Sequence, residues 1–248
     1  MALRCENLTK VFGGTVALDH VDLAFPSHSV TAIVGPNGAG KTTLIDVLTG
    51  FRSQDAGRWM INDVEITGLS PHRIANLGVV RTFQQPRLIF DQSVLENVLL
   101  GFRRSTGEGL LTAVFGSSAA RNGRDEIRTA NGFLELVGLA DYASRLAAEL
   151  SFGQQKLATI ACSLASEPSA LLLDEPFGGV SRDAGTMILD LLRHLRDAGS
   201  TIVFVEHDLD AVRRIADVAV VMANGRVLTS GAPKDALESP DVLEAYLA

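Results

Sequence analysis

Short apolar runs mark the centre of the predicted fold. They are Val30–Val34, residues 170–173 and Thr201–Val205, each bounded by polar or turn residues. Continuous apolar runs of this length are typical of strands buried on both faces of a parallel sheet. Apolar residues then recur at helical spacing over 183–197 and 209–215, so strands alternate with helices. The pattern predicts an α/β fold with a parallel sheet, whose ligands bind beyond the carboxyl ends of the strands.

Shorter strands outside these runs predict antiparallel hairpins, because turn residues separate the two members of each pair. The predicted hairpins are 3–25 with a turn at Gly13-Gly14, 58–66 with Asn62-Asp63, and 218–228 with Asn224-Gly225. The first two place an antiparallel β layer near the N-terminus. A short helix opened by Pro71 and a strand at 79–83 follow this layer.

A segment without strand signals lies between these two halves. Ser93 and Glu96 form a capping box at the start of a short helix, and a longer helix is predicted over 127–137. Residues 105–123 have no sustained period, which predicts an exposed or mobile connection, and two short helices are expected at the C-terminal end. The predicted parts of this single domain are a catalytic core at 1–87 and 166–248 and a helical subdomain at 88–165.

Composition limits the classes of partner. The chain has 248 residues, a net charge of −7 and a pI near 5.2, so nucleic acid is not expected as a partner. Four arginines, offset by acids, are expected to be solvated or to serve a partner groove near the helical subdomain. They are Arg81, Arg87, Arg103 and Arg104.

The two cysteines, Cys5 and Cys162, are too few for a disulfide framework or a zinc site, and reduced thiols are expected. The N-terminus lacks the charged start and apolar run of a secretory signal. The most apolar stretch, 157–173, is interrupted by Glu167-Pro168, so no membrane span is expected. We therefore expect a soluble protein whose role at a membrane, if it has one, works through a partner.

The residues after the first buried run carry the strongest chemical signal. They match the pattern G-x-x-x-x-G-K-[ST] of a phosphate-binding P-loop between a strand and a helix. Backbone N–H groups of such a loop point at phosphate oxygens, Lys41 adds a charge on the outer phosphates, and Thr42 offers a hydroxyl to Mg²⁺. The predicted phosphate-binding residues are Gly35, Asn37, Gly38, Ala39, Gly40, Lys41, Thr42 and Thr43.

A pair of acids and a second turn complete the predicted chemistry. Asp174 and Glu175 end a buried strand, where an Asp can hold Mg²⁺ through water and a Glu can activate the attacking water. Ser151, Gly153 and Gln154 precede a helix expected to begin near Lys156, and they form a second anion-binding surface. Because one nucleotide rarely needs two phosphate cradles, we expect this surface to cover the γ-phosphate held by another copy.

These motifs together resemble the ATP-binding subunits of ABC transporters. The P-loop resembles their Walker A motif, 171–175 their Walker B motif with its catalytic glutamate, and 150–154 their signature motif. Several segments are similar to the ATPases of branched-chain (hydrophobic) amino acid importers. These segments are Phe12-Gly13-Gly14, Pro71-His72-Arg73-Ile74-Ala75, Val80-Arg81-Thr82-Phe83-Gln84 and Ser93-Val94-Leu95-Glu96-Asn97-Val98.

The resemblance implies a role for each remaining site residue. Phe12 stacks on adenine, Gln84 is the Q-loop glutamine that contacts Mg²⁺ or water, and His207 is the switch histidine at the γ-phosphate. Glu175, His207, Lys41 and Gln84 would then carry catalysis, with Thr42, Gln84 and Asp174 at the metal. The implied fold is a P-loop core of ABC ATPase type with an N-terminal antiparallel β layer and an inserted helical subdomain.

The resemblance also implies partners and a location. ATP and Mg²⁺ are the expected cofactors, and two ATPase subunits, identical or paralogous, close head to tail. Integral membrane permease subunits and, indirectly, a substrate-binding protein complete the assembly on the cytoplasmic face of the inner membrane. A soluble ABC ATPase, as in iron–sulfur cluster assembly, and an exporter ATPase remain alternatives. One departure is Gly179-Val180-Ser181, where the family usually has Gly-Leu-Asp or Gly-Leu-Asn, so communication between the two sites is expected to differ.

Overall fold

The computed structural model of the chain describes residues 2–102, 119–239 and 242. Its strands are β1 (Leu3–Phe12), β2 (Thr15–Phe25), β3 (Val30–Val34), β4 (Ala56–Ile61), β5 (Val64–Glu65), β6 (Val79–Arg81), β7 (Ala170–Asp174), β8 (Thr201–Val205), β9 (Val218–Ala223) and β10 (Arg226–Gly231). Its helices are α1 (Lys41–Leu48), α2 (Pro71–Asn76), α3 (Val94–Leu99), α4 (Ala119–Leu136), α5 (Phe152–Leu164), α6 (Arg182–Asp197), α7 (Leu209–Ile215) and α8 (Pro233–Leu237).

The larger sheet holds the predicted parallel core. Its strand order is β10-β9-β3-β8-β7-β6, and every neighbouring pair except β9 and β10 is parallel. Every residue of β3, β7 and β8 is buried, as the continuous apolar runs predict. Because β3 and β7 lie on either side of β8 and run parallel to it, the segments that follow these strands lie close together at the carboxyl ends of the strands. The predicted α/β fold is confirmed.

The smaller sheet is the predicted antiparallel layer, with strand order β2-β1-β4-β5. Its inner face shares one hydrophobic core with α1 and the larger sheet, in which Leu8 and Trp59 join Leu44 of α1 and Val203 of β8. This packing fixes α1, and therefore the loop that precedes it, between the two sheets. The turn of the β4–β5 hairpin is confirmed, because Asn62 and Asp63 both have positive φ angles, 46° and 65°.

The helices follow the prediction with some corrections. Ser93 and Glu96 form the predicted capping box at the start of α3. The helix expected to begin near Lys156 begins at Phe152, because Ser151 caps it. Helix α4 begins at Ala119, so the end of the predicted connection 105–123 is helical, while residues 103–118 lie outside the described residues. Of the two C-terminal helices, α8 is present and the second falls largely outside the described residues.

The chain divides into two compact units. One comprises Met1–Gln84, Pro168–Gly178 and Leu189–Ala248, and contains both sheets. The other comprises Gln85–Glu167 and Gly179–Ile188, and contains α3, α4 and α5. Among the described residues, no helix has both the length and the apolar character needed to cross a membrane.

Candidate nucleotide-binding site

The loop between β3 and α1 has a backbone that requires glycine. Gly40 is the N-cap of α1 with a φ of 98°, and a Cβ atom there would lie 2.4 Å from the carbonyl oxygen of Ala17. A Cβ atom on Gly35 would lie 2.1 Å from the carbonyl oxygen of Met222. Because the N-cap has no side chain, the first N–H groups of α1 are not capped by one and suit an anion. The local geometry is that of a phosphate-binding loop.

Lys41 lies inside the curl of this loop. Its Nζ donates to the carbonyl oxygens of Gly35 at 2.7 Å and Pro36 at 2.9 Å. Burial lowers the pKa of its ammonium group, and the nearby carboxylates of Glu175 and Asp174 act in the opposite direction. The predicted lysine and the predicted acids are therefore close enough to interact electrostatically.

The acids stand at the carboxyl end of β7, as predicted. Glu175 has a φ of 47°, so the chain leaves the extended conformation immediately after Asp174. Gln84 donates from Nε2 to Oε2 of Glu175 at 2.7 Å. The structure thus brings the predicted Q-loop glutamine and the predicted catalytic glutamate into direct contact.

Arg81 departs from the sequence prediction. We expected a solvated arginine or one near a partner groove, but only 5% of its side chain is exposed. Its Nη2 donates to Oδ2 of Asp174 at 2.8 Å, and its Nη1 contacts Oδ1 of Asp46 on α1. The prediction was wrong because both partners of Arg81 are distant in sequence. Of the other arginines considered with it, Arg87 is exposed, and Arg103 and Arg104 lie outside the described residues.

His207 follows β8 at the same edge of the sheet, and 64% of its side chain is exposed. The preceding residue, Glu206, is fully buried and accepts backbone N–H groups from Phe177 at 2.8 Å and His207 at 3.1 Å. Burial raises the pKa of the Glu206 carboxyl, and these hydrogen bonds oppose the shift. Glu206 therefore links the segment after Glu175 to the backbone of His207, a role that the sequence analysis missed.

The other predicted residues of this unit are exposed or half-buried, except Ala39, which is buried. Phe12 ends β1 with 38% of its surface exposed, and the centre of its ring lies 5.4 Å from Nζ of Lys10 and 5.2 Å from the guanidinium of Arg52. Asn37 and Thr42 are exposed, and Gly38, Ala39 and Thr43 lie in the same loop and first turn.

The second predicted turn belongs to the other unit. Ser151 is the N-cap of α5: its Oγ accepts from N–H of Gln154 at 3.4 Å, and Oε1 of Gln154 accepts from N–H of Ser151 at 2.9 Å. A Cβ atom on Gly153 would lie 2.7 Å from Cβ of Ala184. This glycine therefore has a packing role against α6 in addition to its predicted place in the signature motif.

Comparison with known proteins identifies the family to which this chain belongs. Residues 18–178 match the model of the ABC transporter family, and this range contains the P-loop, the Ser151 turn and Glu175. The branched-chain amino acid transport ATP-binding protein BraF of Pseudomonas aeruginosa is 37% identical, over 99% of this chain and 97% of its own. This chain belongs to the ABC transporter family. In this ABC protein, Phe12 and His207 lie outside the matched range. The roles predicted for them are therefore supported by their positions and not by the family match.

Solved structures agree with this assignment. The ADP conformation of an ATP-binding cassette of an ABC transporter superposes with a TM-score of 0.87 at 37% identity, covering 100% of this chain and 99% of that one. A dimeric bacterial ABC transporter cassette gives a TM-score of 0.76 at 26% identity, covering 94% and 99%. These structures confirm that the fold of this ABC protein is that of an ATP-binding cassette.

Proposed function

We infer that this chain is the ATP-binding and ATP-hydrolysing subunit of an ABC transporter that takes up branched-chain or other hydrophobic amino acids. One observation carries the chemistry: Lys41 in its glycine loop lies within electrostatic reach of Asp174 and of Glu175, which Gln84 contacts. The similarity to BraF over nearly both whole chains supports the substrate class. It also favours an importer over the exporter and the soluble ATPase that the sequence left open.

Binding of ATP would use the groups of the first unit. The phosphates would take up the N–H groups at the start of α1 and the ammonium of Lys41, which is already held within the loop. The exposed ring of Phe12 would stack on adenine, with the cations of Lys10 and Arg52 near the ring at 5.4 Å and 5.2 Å from its centre. The Lys41 ammonium would exchange carbonyl oxygens for phosphate oxygens, which are stronger acceptors for a charged donor.

The donor set suits Mg²⁺. Thr42, Gln84 and Asp174 offer a hydroxyl, an amide oxygen and a carboxylate, and oxygen ligands are those that Mg²⁺ prefers. Among the described residues no group of three or more His, Cys, Asp or Glu side chains occurs, so the ion would keep waters and bind mainly to phosphates. When bound, Mg²⁺ would neutralise charge on the β- and γ-phosphates. Asp174 would contact it through water.

Hydrolysis would depend on Glu175 and His207. The carboxylate of Glu175, oriented by its hydrogen bond with Gln84, would accept a proton from the attacking water. Lys41 and an N–H of the His207 ring would stabilise the charge that develops on the γ-phosphoryl oxygens. Glu206 would hold the backbone of His207 and Phe177 in place during this step.

A second ATPase subunit would complete the site. Ser151, Gly153 and Gln154 would contact the γ-phosphate bound by the opposing subunit, an identical chain or a paralogue. The dimeric cassette among the similar structures supports a two-subunit arrangement. Permease subunits in the inner membrane would carry the chain on the cytoplasmic face and convert closure of the dimer into transport, with a substrate-binding protein delivering the amino acid. ATP would drive closure by binding the closed state more tightly than the open one.

Glu175→Gln tests this function. We expect ATP turnover to fall at least about 100-fold, because the general base is lost. ATP binding should persist and an ATP-bound dimer should accumulate, measured by phosphate release and size-exclusion chromatography. Glu65→Gln, an exposed substitution of the same kind on β5, should turn over ATP at the normal rate. Normal turnover by Glu175→Gln would contradict the role of this glutamate.

The substrate class is tested in cells that lack this chain. Uptake of labelled leucine, isoleucine and valine should fall and should be restored by the native chain but not by Glu175→Gln. If uptake of these amino acids is unchanged while another solute is affected, the ATPase assignment stands and the substrate class is wrong.

A further inference from the structure

We propose that Arg81 is a permanent counter-ion for Asp46 and Asp174. Its positive charge would keep these two carboxylates close together when no metal ion is bound. The inference rests on the proposed function, because it concerns the carboxylate assigned there to Mg²⁺. Arg81 would also act as a positioning residue, since it connects α1, the helix that follows the P-loop, to β7, the strand that ends at Asp174.

The geometry of this arrangement is that of a forked ion pair. One terminal nitrogen of Arg81 contacts Asp46 on α1, and the other donates to Asp174 on β7 at 2.8 Å. The side chains of Arg81 and Asp174 are only 5% and 7% exposed, and that of Asp46 is 19% exposed. The guanidinium also lies 4.9 Å from the ring centre of Phe83 and 5.8 Å from that of Phe51. These rings and carboxylates fix the position of the cation.

Burial makes this charge necessary. Two carboxylates that lie near each other and are largely withdrawn from water repel, and removal of the cation that contacts both leaves this repulsion poorly compensated. An arginine does not lose its proton in proteins, so this compensation is permanent. A second arginine, Arg52, contacts Asp46 at 3.2 Å but has no contact with Asp174 within the described residues, and its side chain is 53% exposed. Among the described residues, Arg81 is therefore the cation that hydrogen-bonds directly to Asp174, while Lys41 acts on this carboxylate from a greater distance.

A divalent cation should matter to the fold only when Arg81 is absent. In the native chain the positive charge is already in place, so Mg²⁺ that binds at Asp174 without nucleotide should add little to the stability of the folded chain. If the arginine is replaced by a neutral residue of similar length, Mg²⁺ can supply the positive charge that the two carboxylates then lack. The stability of the folded chain should then depend on Mg²⁺, because a ligand that binds only the folded state stabilises it.

The experiment measures the thermal unfolding midpoint with no nucleotide, in MgCl₂ and in NaCl of equal ionic strength. The native chain should show no difference between the two salts. Arg81→Met should melt lower in NaCl and should recover by about 3 °C or more in 10 mM MgCl₂, a shift that corresponds to a millimolar dissociation constant. Arg81→Lys, which keeps the charge, should be as insensitive to Mg²⁺ as the native chain.

Arg52→Met is the matched control, because it removes the other cation at Asp46 and leaves the contact with Asp174. It should show no Mg²⁺ response. If Arg81→Met does not fold, the double variant Arg81→Met/Asp46→Asn removes one acid together with the cation, and it should still respond to Mg²⁺ through Asp174. An equal response of Arg52→Met, or no response of either Arg81→Met variant, would overturn the proposal. Because no ATP is present, that failure would leave the turnover test of Glu175 unaffected.

Discussion

Two helix N-termini in this molecule are predicted to bind the same chemical group, but they are built differently. Helix α1 begins after Gly40, which is in the left-handed region and has no side chain to cap the helix. Helix α5 begins after Ser151, whose side chain and that of Gln154 satisfy each other's backbone N–H groups. The first leaves its N–H groups for an external anion, whereas in the second the N–H groups of Ser151 and Gln154 already have partners within the chain.

This difference indicates that the two helix N-termini have different roles in binding the nucleotide. A loop whose backbone is held open by glycine is organised for phosphate before any ligand arrives. A capped turn is stable by itself and offers an anion fewer N–H groups, together with the hydroxyl hydrogen of its serine, whose oxygen already accepts a hydrogen bond. The isolated chain should therefore bind the phosphates of ATP through the α1 loop, and the Ser151 turn should matter only when a second subunit presents its nucleotide.

The largest expected effect comes from Gly40→Ala. An alanine there meets both the strain of a positive φ and a backbone oxygen 2.4 Å from its Cβ. Gly38→Ala is the matched control, because Gly38 also has a positive φ, 80°, but no atom lies within 4 Å of the added Cβ. We expect Gly38→Ala to cost about 1–2 kcal/mol of unfolding free energy and Gly40→Ala about 2 kcal/mol more, measured by urea titration. ATP binding should be lost in Gly40→Ala. Equal destabilisation of the two variants would mean that the close approach to Ala17 does not shape the loop.

The next effect separates the capping role of Ser151 from its proposed role at the nucleotide. Ser93 is an N-cap of the same kind, with a capping box at the start of α3. Ser151→Ala and Ser93→Ala should each lower the unfolding free energy by about 1 kcal/mol. Only Ser151→Ala should lower ATP turnover, by about 10- to 100-fold, because a hydrogen bond to a charged phosphate is lost.

ATP binding by monomeric Ser151→Ala, measured by titration calorimetry, should equal that of the native chain. A loss of binding in the monomer would show that Ser151 serves the nucleotide of its own subunit. A turnover defect of equal size in Ser93→Ala would show that the effect is only one of stability in this unit.

The sequence predicted those parts of the fold that depend on local pattern. The bounds of β3 and β8 agree with the predicted runs, because both faces of these strands are buried and every position in them is apolar or a threonine. The start of α5 was missed, because Phe152-Gly153-Gln154-Gln155 has no apolar period and the cap at Ser151 decides where the helix begins. Local capping chemistry was the better signal there.

The residues of the candidate site could be proposed from sequence motifs, but the contacts between them could not. Lys41, Asp174 and Glu175 were recognised from motifs, yet the hydrogen bond between Gln84 and Glu175 spans 91 positions. The partners of Arg81 lie 35 and 93 positions away, so no local pattern could reveal that it is buried between two acids. For Asp46 the sequence did contain an indication that it lies near the site, because it follows Thr42 by four residues and therefore lies on the same face of α1.

The smallest expected effect tests how much of the affinity for ATP lies outside the phosphate loop. Phe12→Ala should weaken ATP binding about fivefold, because aromatic stacking on adenine contributes on the order of 1 kcal/mol. Binding of inorganic triphosphate should not change, since it has no base. Val11→Ala removes a neighbouring side chain of similar exposure, 39%, and should leave both affinities unchanged in calorimetric titrations. If Phe12→Ala weakens triphosphate binding to the same extent, the ring supports the loop rather than the base, and the α1 loop would depend on β1 as well as on its own glycines.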